Sequence, residues 1–319
     1  MANQNSTGSD PLHPQMRAAL IKNNALQPTG IERDSLPIRE IREIFAETRE
    51  FWNKPERPLH GIENFVIPGP MRDIQARCYR PVPHPDLPLI VYFHGGGWVL
   101  GSNDTHDSII RQIAYSTNCL VIGVDYSLAP ENPFPAAFDD VGVALSYILD
   151  NPDHFGFDLD TVLVGGDSSG ANIAITGAVA FEQQCPGLIK GALSYYGVLD
   201  SSLDSASIQE FGNGTFGLSS ERLAFYWNHY VPDTADRADP RVDPCCLNLE
   251  RMFPCHIVAA ACDVVRDGSV RFADRLTNFG VPCMLDIRKG MGHAFMGYGR
   301  MVEDVQVTAS RSNKFILNL

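Results

Sequence analysis

Ser168 stands in Gly166-Asp167-Ser168-Ser169-Gly170, between an apolar run and a segment rich in alanine and isoleucine. A sharp turn from strand to helix holds such a serine in strained geometry, and small neighbours let the backbone pass closely. A helix N-terminus at that point also favours negative charge developing nearby. A second segment, His94-Gly95-Gly96-Gly97-Trp98, follows directly on the apolar run 89–93. Consecutive glycines leave backbone N–H groups bare, and two of them, with the N–H of Ser169, would stabilise a tetrahedral oxyanion. A phosphate-binding loop is the competing reading, but the segment lacks the Lys-Ser/Thr ending of such loops. His94 lies on the oxyanion side and is read as orienting the loop. The chemistry implied is acyl transfer through a serine.

Such a serine needs a base and an orienting acid, and on an elbow of this kind the chain order is serine, acid, histidine. Only His229, His256 and His293 follow Ser168. His256 falls inside an apolar strand pattern, and His229 falls in a helical stretch with Tyr226, Trp227 and Asn228. His293 occupies the glycine-flanked segment Gly290-Met291-Gly292-His293 after the last strand pattern, where an imidazole can reach the serine, and is taken as the base. Asp263 ends the strand pattern 256–261 and is taken as the acid. Asp267, four residues on, suits a helix N-cap instead.

These groups must be carried by a framework, and from about residue 60 strand-length apolar runs alternate with helical patterns. The runs are 63–67, 74–79, 89–93, 120–124, 162–164, 191–195, 256–261 and 284–287; the helices fall at 107–117, 135–149, 171–183, 270–279 and 303–315. Near-continuous apolar strands separated by helices predict an α/β fold, a mostly parallel sheet with helices on both faces. The first two strands, joined through Pro68-Gly69-Pro70, are expected to form an antiparallel edge. Two further helices are expected at 11–23 and 37–52, linked by the polar stretch 27–35. A helical cap is therefore expected, built from an N-terminal segment, 1–55, and an insertion at about 200–254 within the catalytic domain, 56–319. Trp98, Phe216 and Trp227 are candidates for the pocket wall.

The 319 residues are 44% hydrophobic and 20% charged, with a formal net charge of -13. No basic stripe is present, which argues against a nucleic-acid partner. No apolar run is long enough to span a bilayer, so no membrane partner is expected. Residues 1–10 lack the charged and apolar regions of a secretory signal, and the eight cysteines form no Cys-x-x-Cys pair. Reduced thiols and a cytoplasmic location are the expectation.

Taken together, several segments resemble the hormone-sensitive-lipase branch of the α/β-hydrolases, and within it the bacterial acetyl esterases. They are His94-Gly-Gly-Gly-Trp98, Asp125-Tyr-Ser-Leu-Ala-Pro-Glu131, Phe134-Pro-Ala136, Gly166-Asp-Ser-Ser-Gly170 with Asn172, Asp263-x-x-Arg-Asp267 and His293-x-Phe295. Phe51-Trp52-Asn53 and Asp104-Thr-His-Asp107 are similar to the acetyl-esterase subgroup in particular. The resemblance implies an eight-stranded sheet with a helical cap, no cofactor or metal, and hydrolysis of short-chain acyl esters, acetyl to about hexanoyl. It places the nucleophile at Ser168, the acid at Asp263 and the base at His293. The oxyanion donors match Gly96, Gly97 and Ser169, with Gly95 able to join them; Asp167 and Glu131 match bracing carboxylates. Ser169, Ala171, Ser127, Val264, Val265 and Ala294 depart from the usual family residues, and none removes a group the mechanism needs. The expected partner is a small-molecule ester, with a monomer or homodimer as the assembly. Amide hydrolysis by the same triad and a ligand-binding protein on the same fold are the competing functions.

Overall fold

The computed structural model describes residues 10–30 and 35–319, so parts of the expected polar link and N-terminal segment lie outside the described residues. Two helices come first, α1 (Pro14–Ala25) and α2 (Ile38–Trp52). Strands β1 (Gly61–Ile67) and β2 (Ile74–Arg80) then form an antiparallel pair, and β2 also runs antiparallel to β4 (Leu120–Asp125). Every other pairing is parallel, through β3 (Leu87–Phe93), β5 (Phe157–Asp167), β6 (Ile189–Tyr195), β7 (Cys255–Cys262) and β8 (Cys283–Gly292). The order across the eight-stranded sheet is β1-β2-β4-β3-β5-β6-β7-β8. Helices α3 (Asp107–Thr117), α4 (Ala136–Leu149), α5 (Pro152–Phe155), α6 (Ser169–Gln184), α9 (Arg266–Phe279) and α10 (Asp304–Ile316) belong to this framework. Parallel strands joined by helices must be covered on both faces, which is why β3 and β4 are buried almost throughout.

Strand β5 shows where an apolar-run criterion falls short. It spans eleven residues where three were expected, because near its start Asp158 is half-buried and Leu159 and Asp160 are exposed. Its last six residues are buried and carry the chain to Ser168 at the centre of the sheet. The 200–254 stretch contributes no strand to the sheet; it holds α7 (Ala206–Phe211), α8 (Ser220–Tyr230) and two short 3-10 turns. Asp267 is not an N-cap: it lies in the first turn of α9 and accepts the N–H of Ser207 at 2.8 Å, so it serves the start of α7. Among the described residues no helix is long and apolar enough to cross a membrane.

Candidate active site

Ser168 lies between the last residue of β5 and the first of α6, with φ 52° and ψ -120°. Its N–H donates to Tyr195 O and its carbonyl accepts from Val198 N, which fixes this left-handed backbone from both sides. Its Oγ lies 3.0 Å from His293 Nε2, and His293 Nδ1 lies 2.8 Å from Asp263 Oδ2. An ionised carboxylate only accepts, so Nδ1 carries the proton and Nε2 is left to accept from the hydroxyl. Asp263 follows β7 and is 1% exposed; its other oxygen accepts the N–H of Val265, so the valines leave the turn intact. His293 follows β8 and is held by its own N–H donating to Phe216 O. Three parallel strands thus deliver three side chains to one end of the sheet.

The glycine loop arrives from β3, the strand beside β5. Phe93 is in register with Gly166, so residues 94–97 emerge next to Ser168. Among the described residues, the N–H groups of Gly96 and Gly97 have no protein acceptor, and both residues line the cavity that contains Ser168 and His293. Gly95 differs: its N–H donates to Asp167 Oδ1 at 3.0 Å and is already engaged. Ser169 opens α6, so its N–H belongs to the unsatisfied first turn. Among the described residues, no group of three or more His, Cys, Asp or Glu side chains forms a metal-ligand set.

Residues 90–297 match a family model described as the alpha/beta hydrolase fold. An acetyl esterase of Salmonella paratyphi B is 34% identical over 271 residues, covering 83% of this chain and 82% of the relative. Among solved structures, an esterase from Pyrobaculum calidifontis superposes with a TM-score of 0.90 at 30% identity, covering 96% of this chain and 98% of that one. An ester hydrolase from the metagenome of Lake Arreo, solved with a bipyridine phosphonate derivative, gives 0.89 at 31% identity and the same coverage. The chain belongs to the α/β-hydrolase fold family. It is a carboxylic ester hydrolase.

In this hydrolase the two carboxylates expected to brace the site, Asp167 and Glu131, bond different parts of the structure. Asp167 Oδ1 accepts from Tyr92 Oη at 2.8 Å as well as from Gly95, and its Oδ2 lies 3.6 Å from His106 Nε2. Burial works to raise its pKa, but His106 and these hydrogen bonds outweigh it and hold the carboxyl below its ordinary value. Glu131 instead meets Arg42 of α2 through both oxygens, which lowers its pKa and ties the helix to the body. Arg42 also donates to Val99 O and Ala129 O. His94 stacks on Tyr126 at 4.5 Å, and its Nδ1–H donates to Gly95 O at 2.8 Å. Burial drives its pKa down to about 3, so it is neutral at working pH and supports the loop as a donor.

Asp125, near His94, gives a pH-dependent prediction. Burial pushes its pKa from 3.8 to about 6 although it accepts the N–H of Asn103. A raised pKa means the folded state binds the proton more tightly than the unfolded state does. Its contribution is therefore fully present below about pH 4 and lost as pH rises through 6. Asp125→Asn is expected to leave stability unchanged near pH 3.5 and to raise it at pH 8 by up to roughly 3 kcal/mol. Urea midpoints at the two pH values check this; an equal shift at both would contradict it.

The cavity measures about 310 Å³. Its walls draw on α1, α2 and α8 as well as the sheet, through residues such as Leu20, Arg49, Leu223 and Tyr226. Of the three aromatic candidates, Trp98 is on the wall. Trp227 lies behind it, 4.5 Å away, in a fully buried cluster with Tyr230, and Phe216 packs on Phe211. His256 is buried against Ser312 and His229 bonds its own helix, so neither approaches the serine. Phe51-Trp52-Asn53 and Asp104-Thr-His-Asp107 meet in space: the Asn53 amide donates to Asp104 O and accepts from Ser108 N. His106, Arg42 and Arg49 had no role in the sequence reading, and only the 104–107 motif hinted at one of them.

Proposed function

We propose that this serine carboxylesterase hydrolyses short-chain acyl esters, acetyl to about hexanoyl, through an acyl-serine at Ser168. The observation that carries the reading is the pair of contacts, Ser168 Oγ to His293 Nε2 and His293 Nδ1 to Asp263, beside two glycine N–H groups without acceptors among the described residues. His293 takes the hydroxyl proton as Ser168 attacks the ester carbonyl, and Gly96, Gly97 and Ser169 N–H groups hold the oxyanion. The imidazolium then protonates the departing alcohol, and Asp263 stabilises that charge. Water enters, loses a proton to the same imidazole and releases the acid. The described residues of the 1–55 segment, 10–30 and 35–55, act with about 200–254 as the cap over a catalytic domain of 56–319. The eight cysteines, all free, support a reducing, cytoplasmic setting.

Two features support a short acyl group. A cavity of about 310 Å³ lies at the low end of the ~300–1,000 Å³ typical of small-molecule sites. The ring of Tyr226 lies directly on Gly97, so close that a Cβ there would be 2.2 Å from it, and Trp98 behind is locked by Trp227 and Tyr230. The acetyl esterases of Salmonella, to which the chain is similar, agree with this reading. Across p-nitrophenyl esters from C2 to C12, kcat/KM is expected to peak between C2 and C6 and to fall at least tenfold by C12. A maximum at C10 or C12 would contradict the assignment.

A further inference from the structure

Two of the three arginines of helix α2, Arg42 and Arg49, stand seven residues apart, and two turns of helix put them on one side. Arg42 meets Glu131 and two carbonyls, an attachment of the helix to the body. Arg49 differs from it. It is 7% exposed and, among the described residues, all its hydrogen bonds go to uncharged acceptors. Its Nε donates to Thr105 O at 2.9 Å, Nη1 to Gly297 O at 3.0 Å, and Nη2 to Ser108 Oγ at 3.3 Å. A buried cation with no carboxylate among its hydrogen-bond partners is costly, even with the charge of Asp167 nearby, and attachment of α2 alone does not require it, since Arg42 and Asn53 already tie that helix down.

What the guanidinium joins is more telling. Thr105 Oγ1 bonds His106 Nδ1 at 2.9 Å, His106 Nε2 faces Asp167, and Asp167 accepts the N–H of Gly95 at the head of the oxyanion loop. On the other side, Gly297 N–H donates to Ala294 O, the residue after His293. One planar fork therefore spans the glycine-loop side and the base side of the cavity, whose wall it also lines. We propose that Arg49 is a positioning residue, fixing the loop that bears His293 against the loop that presents Gly96 and Gly97. Charge strengthens each of its hydrogen bonds to a carbonyl, and planarity sets their mutual angle, which a lysine cannot do.

The proposal rests on Ser168, His293 and the glycine loop being the reacting groups. It is tested by kinetics of Arg49→Met and Arg49→Lys on p-nitrophenyl acetate, with an aryl trifluoromethyl ketone as probe. That ketone accepts Ser168 Oγ at its carbonyl carbon, the hydroxyl proton passes to His293, and the resulting oxyanion sits at the glycine loop. In Arg49→Met, kcat is expected to fall on the order of 10²-fold, the effect of misplacing catalytic groups by about 1 Å. KM should move less than about threefold, and ketone affinity should fall by the same factor as kcat/KM. Arg49→Lys should lie between, and assays run well below each variant's Tm. Wild-type kcat with only a lower Tm would overturn the proposal, and so would a raised KM at unchanged kcat, the sign of a substrate contact. Should Arg49→Met not fold, Arg49→Lys decides alone: joint loss of kcat and ketone affinity supports the proposal, and wild-type values of both overturn it. Failure of the underlying assignment would appear instead in the wild-type enzyme and in Ser168→Ala, measured in the same assay.

Discussion

Ser168→Ala is expected to reduce kcat/KM for p-nitrophenyl acetate by at least about 10⁴-fold while leaving the protein folded. The variant removes only Oγ, and the proposed oxyanion donors and the cavity remain to assist attack by water, so some rate above the uncatalysed reaction should survive. Asp263→Asn is expected to cost a similar factor for a different reason. An amide in place of the carboxylate can present N–H to Nδ1, which then becomes the unprotonated nitrogen and leaves Nε2 unable to accept from Ser168. In the proposed mechanism serine, histidine and aspartate act as one unit, so Ser168→Ala combined with Asp263→Asn should be no slower than Ser168→Ala alone. Additive losses would show that the three side chains do not work together. Stability gives an independent check. Ser168 holds φ 52°, a region costly for any residue with a Cβ, so Ser168→Gly should be inactive yet more stable by roughly 1 kcal/mol.

The parts of this site that could be read from sequence are those tied to chain order. A serine after a strand, an acid after a later strand and a histidine after the last strand each keep their place because parallel strands end on one side. The glycine loop was legible for the same reason, since β3 ends where the loop begins. What could not be read depends on contacts between segments remote in sequence. Gly95 looks like its two neighbours until the register of β3 on β5 brings its N–H to Asp167. Arg42 and Arg49 are ordinary helix residues in a search for apolar stripes, because their value lies in carbonyls fifty or more residues away. Trp227 and Trp98 have the same residue type, but only packing assigns one to the wall and the other to the layer behind it. Asp267 has the composition of a cap and sits at a helix start, yet the N–H it accepts belongs to α7.

Gly170→Ala should be severely damaging, and Gly142→Ala should have the opposite sign. A Cβ on Gly170 would lie 2.0 Å from Phe93 O and 2.4 Å from His94 O. Neither oxygen belongs to a flexible side chain. Phe93 is the last residue of β3, paired in register with Gly166, and His94 O accepts from Tyr126 Oη at 2.8 Å. Relief therefore requires either moving the strand end and its loop or lifting the first turn of α6. Each route separates Ser168 from the glycine N–H groups. Overpacking commonly costs about 1–3 kcal/mol, and a clash with fixed backbone should exceed that range. Protein that still folds should also lose on the order of 10²-fold in kcat, because the elbow and the oxyanion loop no longer meet correctly. Gly142 lies within α4, where a Cβ meets nothing within 4 Å, so alanine there should stabilise by roughly 0.5–1 kcal/mol through helix propensity alone. Urea midpoints and kcat for the pair decide the matter: Gly170→Ala with a wild-type midpoint and rate would mean that β3 and α6 do not approach as closely as the elbow requires.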